Sequence, residues 1–171
     1  MNNPLKPYLT TTTIGQNVLL LENIESTNTY LKSLPADFLK KGTIAIAQTQ
    51  TQGRGQKTRS WSSPIGGLYY TAYYSLSCNS KITLTPLMCG LACKDALKSL
   101  LNIDIKLKWI NDLIYKDKKL GGILVESRIR GDTIELFIGI GINVNNSLSE
   151  LSQDVKDIAI TLKDDLLQET D

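Results

Sequence analysis

The residues best equipped for chemistry gather in the loop 48–61, which carries Gln50, Gly53, Arg54, Gly55, Gln56, Lys57, Arg59 and Trp61. Glycine admits positive φ and close backbone approach, so successive amide N–H groups can converge on an anion. Arg54 adds a planar fork of donors that matches a carboxylate or a phosphate. The loop is read as a holder for a small anionic ligand at the end of a strand. Taken alone it fits a solvated surface turn equally well, or a contact with nucleic-acid phosphates. A P-loop is excluded, because the G-x-x-x-x-G-K-[ST] spacing is missing.

Other groups of the same kind lie further along. Ser26-Thr27-Asn28 opens a short helical pattern. Capping is one reading of it; the other is a helix start that offers hydroxyls and free amides to a polar ligand. Asn111-Asp112 sits between two strand-like runs, where it can serve the turn, orient a ligand or hold a Mg²⁺ water. Lys119 begins a strand beside Gly121 and Gly122, and the bare Gly121 is expected to leave room next to the ammonium. The run from Thr133 ends in Gly139, Gly141 and Asn143, a face emptied of side chains where a ligand can come close.

The chain has no histidine. Ser-His-Asp and Cys-His schemes are therefore closed to it, as are most transition-metal sites. Lysine, arginine, amides and backbone N–H groups remain, a set suited to stabilising charge at phosphorus when the attacking group is already ionised.

Composition bounds the rest. A length of 171 residues suits one domain, and a net charge of +2 supplies no long-range field for nucleic acid. No apolar run approaches the ~20 residues of a membrane helix, and the first residues lack a signal peptide's regions. No membrane partner is expected, and a cytoplasmic location is. Cys78, Cys89 and Cys93 are odd in number, which argues against a disulfide framework, so they are read as small buried apolar groups.

The elements that must position these groups follow from periodicity. Strands are expected over 16–22, 43–47 (with Gln48 and Gln50 continuing its pleat if it persists), 68–76, 105–109, 113–115, 119–126 and 133–143. In the second of these, Gln48 and Gln50 share a face with Ile44 and Ile46. The tyrosines of 68–76 are read as packing. In 133–143, Ile134, Leu136, Ile138, Ile140 and Ile142 point inward. Helices are expected after Ser26, with Pro35 beyond its end, and from Thr85-Pro86 to about Leu101, burying Leu87, Leu91, Ala96 and Leu100. The tail 149–171 is expected to add one or two helical turns.

Glu25-Ser26-Thr27-Asn28, Gln50-Thr51-Gln52-Gly53-Arg54-Gly55 with Arg59 and Trp61, Lys108-Trp109-Ile110-Asn111-Asp112, the run 119–126 and the run 139–145 stand in the order found in biotin protein ligases. The chain resembles that family over about residues 20–165. The resemblance implies an α+β fold, a mixed and largely antiparallel central sheet with helices packed on it, of the class II aminoacyl-tRNA synthetase-like kind. It implies a ligase that activates biotin with MgATP to biotinyl-5′-adenylate. The enzyme then passes the biotinyl group to a lysine of a biotin carboxyl carrier domain.

By matching position, biotin would meet Ser26, Thr27, Asn28 and Gln50. Gly53, Arg54, Gly55, Gln56, Lys119 and Gly122 would complete its site. Arg54, Arg59, Trp61, Asn111, Lys119 and Asn143 would line the nucleotide. Lys119, Arg54 and Asp112 would be catalytic, Asp112 serving the acceptor amine or a metal; no protein-held metal site is expected. The match implies a single catalytic domain over 1–171, without an N-terminal winged helix or a C-terminal SH3-like domain. DNA is therefore not an expected partner, whereas a second copy of the chain is an allowed one.

Two positions depart from the family pattern. Gln56 replaces a second arginine, and a neutral amide grips an adenylate phosphate less firmly: charged hydrogen bonds contribute ~1.5–3 kcal/mol against ~1 for neutral ones. A leakier intermediate is expected. Ile110 replaces a proline and is expected to alter turn rigidity alone. The rival readings are a lipoate or octanoyl ligase or transferase, a binding module that retains biotin without transferring it, and a nucleic-acid-binding domain.

Overall fold

The computed structural model describes residues 3, 5–78, 82–166 and 170. Its strands are β1 (Val18–Ile24), β2 (Ile44–Gln50), β3 (Leu68–Ser77), β4 (Lys106–Lys108), β5 (Asp112–Tyr115), β6 (Lys118–Arg130) and β7 (Thr133–Ile142); its α-helices are α1 (Thr27–Ser33), α2 (Thr85–Leu101) and α3 (Leu162–Leu166). All seven strands join one sheet in the order β1-β2-β3-β7-β6-β5-β4. Only β1 and β2 run parallel; every other pair is antiparallel. The architecture is the α+β one that the resemblance implies. No helix among the described residues is long and apolar enough to cross a membrane.

Strand β7 lies at the centre and is covered on both faces. Ile140 and Ile142 belong to the cluster that also takes Cys93 and Leu97 of α2. Phe137, on the opposite pleat, packs with Leu31 of α1 and with Tyr73. The inward-pointing isoleucines are therefore borne out, but the second face is no bare surface: Glu135 and Phe137 are buried there too. Helix α1 covers that second face up to Gly139, where the sheet opens towards the candidate site.

Helix α2 buries a different stripe from the expected one. Gly90, Cys93 and Leu97 face the sheet, while Leu91, Ala96 and Leu100 are exposed. At Gly90 a methyl group would lie 3.2 Å from Leu107. The missing side chain at Gly90 makes room for Leu107 beneath the helix, between the helix and the sheet. Cys93 is buried and Cys89 partly so, as expected, but Cys78 is exposed.

Among the described residues the tail has the one or two helical turns expected, but not at Val155, Ile158 and Ala159. Leu148–Glu150 is a 3-10 turn, and Val155 and Ile158 lie in turns. Ala159 then makes a parallel bridge to Lys119, and helix α3 follows. The tail's end at 167–169 and 171 lies outside the described residues, as do Met1, Asn2 and Pro4 of the amino terminus.

Candidate functional site

Strand β2 persists to Gln50, and the loop beyond it folds back on itself. Trp61 N–H donates to Gly53 O at 2.7 Å and Gly55 N–H to Arg59 O at 2.8 Å, with Lys57 in the left-handed region at the tip. The loop is thus a small hairpin with its own backbone bonds. A side chain at Gly53 would fall 2.3 Å from Trp61 O. Gly53 therefore serves the close approach of the loop's two arms, and it does not line the cavity beside the loop.

That cavity gathers nearly every other predicted residue. Ser26, Thr27 and Asn28 line it from α1, Gln50 from β2, and Arg54, Gly55, Gln56, Arg59 and Trp61 from the hairpin. Asn111, Asp112, Lys119, Gly122 and Asn143 line it from the far side of the sheet. Gln48, on the same pleat as Gln50, is exposed and stays outside.

At the α1 end the polar groups are bonded to each other. Ser26 caps the helix, its hydroxyl accepting from Thr29 N–H at 3.5 Å. Gln50 Oε1 accepts from Thr27 N–H at 2.8 Å, and Gln50 Nε2 donates to Ser63 Oγ at 2.9 Å. Asn28 Nδ2 donates to Glu126 Oε2 at 3.0 Å. Glu126 also receives Lys32 at 3.0 Å and Arg54 at 3.0 Å. Burial opposes its charge, but the hydrogen bonds from Asn28 and Lys32 and the charges of Lys32 and Arg54 outweigh that, so its pKa lies below the ordinary glutamate value. Glu126, Lys32 and the buried Thr71 stand behind the cavity lining and hold Asn28, Thr27 and Arg54 in place, and sequence reading gave them no role. The signal was thin: Glu126 ends an apolar run, and its partners stand far away in the chain.

At the other end Lys119 Nζ lies 2.7 Å from Asp112 Oδ1 and stands 5.4 Å above the Trp61 ring. The open neighbour beside Lys119 is Gly122, where a methyl group would lie 3.6 Å from Lys119 Cε. Gly121 faces Leu113 and Gly141 O instead, which corrects the expected pairing. An irregularity in the β5–β6 ladder shifts the register between Lys119 and Gly121, so simple alternation fails there. The space above Gly139 and Gly141 is filled by Asn28 and Trp61: an added methyl would sit 2.3 Å from Asn28 Oδ1 and 2.6 Å from Trp61 Nε1. The bare strand end seats two cavity-lining side chains.

Two of the amides also hold the scaffold. Asn111 Nδ2 donates to Ile123 O at 2.9 Å, and Asn143 Nδ2 donates to Ile160 O of the tail at 3.2 Å. The tail in turn clasps Lys119, whose N–H donates to Ile158 O at 2.7 Å. Trp61 Nε1–H is buried and finds no acceptor among the described residues. Among those residues no cluster of three or more histidine, cysteine or acidic side chains could hold a metal ion.

The profile of the Biotin/lipoate A/B protein ligase family matches residues 20–143. The chain belongs to this family. The bifunctional ligase/repressor BirA of Escherichia coli is 38% identical over 133 residues, covering 76% of this chain and 41% of that protein. The human biotin–protein ligase is 33% identical over 148 residues, covering 81% and 20%. Among solved structures, a biotin protein ligase from Aquifex aeolicus in complex with biotin and ATP superposes with a TM-score of 0.77 at 35% identity, over 91% of this chain and 63% of that one. The Leishmania major enzyme in complex with biotinyl-5-AMP gives 0.73 at 32% identity, over 87% and 64%. The chain thus spans less than half the length of these two curated relatives. Protein Ta0514 from T. acidophilum shares the fold at 16% identity and a TM-score of 0.61.

Proposed function

We propose that the chain activates biotin with MgATP to biotinyl-5′-adenylate, releasing pyrophosphate, and then transfers the biotinyl group to a lysine of a carrier domain. The observation that carries this reading is the convergence of Thr27, Asn28, Gln50, Arg54, Lys119 and Asn111 on one cavity, in a chain whose relatives are biotin ligases.

In the first step a carboxylate oxygen of biotin attacks the α-phosphorus, and the bond from that phosphorus to the bridging oxygen breaks. A carboxylate is already ionised at neutral pH, so no histidine base is needed. What the site must supply is positive charge as the phosphorus crowds. Lys119, Arg54 and Arg59 are the cations of the cavity lining. The anionic substrates compete with Asp112 for Lys119 and with Glu126 for Arg54. Mg²⁺ would enter with ATP and offset phosphate charge, and Asp112, the carboxylate of the cavity lining, is the residue that would help hold it.

In the second step the acceptor amine attacks the acyl carbon, the bond to the phosphate oxygen breaks and AMP leaves. The proton shed by the amine goes to Asp112, which is free to take it once Lys119 has turned to phosphate. Trp61, which packs over Gly141 and whose Nε1–H finds no acceptor among the described residues, would lie beside the nucleotide.

The test is pyrophosphate release from ATP with biotin, lipoate or octanoate. Release with biotin alone is expected, falling by about 10²-fold or more in Lys119→Gln, as for loss of one preorganised donor. Release that ignores biotin, or none, would overturn the reading.

A further inference from the structure

Thr71 of β3 sits opposite Gly139 of β7, is completely buried, and does not itself line the cavity. Its Oγ1 lies 2.5 Å from Asn28 Oδ1 and 2.7 Å from Thr27 Oγ1. Counting protons in this cluster fixes the direction of every bond. Asn28 Nδ2 faces Glu126 Oε2 at 3.0 Å and Phe137 O at 3.4 Å, and a carboxylate and a carbonyl can only accept. Lys32 and Arg54 hold Glu126 as the carboxylate. The Asn28 amide therefore cannot flip, and its Oδ1 points at Thr71.

A hydroxyl owns one proton. Two oxygens 2.5 Å apart need a proton between them, and Asn28 Oδ1 has none, so Thr71 donates to Asn28. Thr71 then has no proton left for Thr27. The 2.7 Å contact between the two hydroxyls requires that Thr27 donate to Thr71. Gln50 Oε1, which accepts Thr27 N–H at 2.8 Å, has a second lone pair but lies farther from Thr27 Oγ1, at 3.2 Å, and a Thr27 proton turned to it would leave the 2.7 Å contact with Thr71 without one. With its proton committed inward, Thr27 Oγ1 offers only lone pairs to the cavity.

We propose that Thr71 is a positioning residue that sets the hydrogen-bond polarity of the α1 end of the cavity, making Thr27 Oγ1 an acceptor that selects ligand rings presenting N–H. The inference rests on the biotin reading of this cavity, since a cyclic urea carries such N–H groups. Replacing Thr71 by valine keeps the shape and removes both the proton and the acceptor. Thr27 could then turn its hydroxyl either way, and the discrimination would fade.

The experiment compares calorimetric affinity for biotin with that for cyclic carbamate analogues in which one or the other ring N–H is replaced by oxygen. The wild type should prefer biotin over one of them by about five- to tenfold, one net hydrogen bond. Thr71→Val should bring that ratio close to one with ATP affinity unchanged, and Thr71→Ser should restore it. A ratio that survives in Thr71→Val overturns the proposal. A second arm needs no ligand and only wild-type protein: neutron diffraction of the deuterated chain should place the Thr71 deuteron towards Asn28 and the Thr27 deuteron towards Thr71. A Thr27 deuteron on Gln50 refutes the relay even if the valine variant does not fold. If the wild type binds no biotin, the functional reading fails by itself, and the neutron arm still decides the relay.

Discussion

Replacing Gly139 by alanine puts a methyl carbon 2.3 Å from Asn28 Oδ1 and 3.1 Å from its Cγ. Ordinary carbon contacts begin at about 3.5 Å, so the Asn28 carboxamide must move by about 1 Å. It has little freedom to do so, being buried and held by Thr71, Glu126 and Phe137 O together. A shift of that size breaks the bond to ionised Glu126, about 1.5–3 kcal/mol, and the bond from Thr71, about 1 kcal/mol. Stiffening the unfolded chain returns about 0.4–1 kcal/mol. A net loss of about 2–3 kcal/mol follows, or about 4–12 °C in Tm for a chain of this size. Biotin affinity should fall with it, because Asn28 lines the cavity. Gly122→Ala is the stability control: its methyl meets nothing nearer than Lys119 Cε at 3.6 Å, so its Tm should move by less than about 1 kcal/mol implies. Thermal melts and biotin calorimetry on both variants read the outcome. A Gly139→Ala protein with wild-type Tm and affinity would mean that Asn28 is not held as described.

Gln56 lines the cavity without a charge, so the intermediate should escape more readily than with arginine there; labelling of a bystander protein should fall in Gln56→Arg, and equal labelling would end the idea. Glu126 titrates below its ordinary value of 4.5 in the folded protein, so its contribution is fully present above about that pH and is lost as pH falls through the lower folded value. The Tm gap between wild type and Glu126→Gln should accordingly be constant at neutral pH and close in acid; a gap that persists unchanged in acid would exclude the ion cluster as its source. Burial, with the nearby Cys89, pushes the Cys93 thiol up to about 11. At about pH 8 an alkylating agent should therefore modify the exposed Cys78 in the native protein and reach Cys93 only after unfolding.

Local chemistry was legible where neighbours in the chain settle it. The Ser26 cap, the strand reaching Gln50, the alternation of the 133–143 run and the cation-bearing hairpin depend on period and turn chemistry, which short stretches carry in full. Where distant segments meet, that reading failed. Helix α2 packs Gly90 against Leu107 and buries Cys93 and Leu97, a pairing that neither segment reveals alone. The partner of Lys119 is Gly122 rather than Gly121, because a ladder irregularity breaks the alternation by which sequence assigns faces.

The order and types of the motifs pointed to the family, the absence of histidine closed its chemistry, and together they named most of the residues that line one cavity. Which of those residues are free for a ligand, and which are spent on each other, was decided only in three dimensions. Gly53 serves its own loop, Asn143 holds the tail, and Glu126, 72 residues beyond Arg54 in the chain, ties it to α1. The reason is that a hydrogen bond or an ion pair depends on the distance and direction between two groups, and a one-dimensional order carries neither.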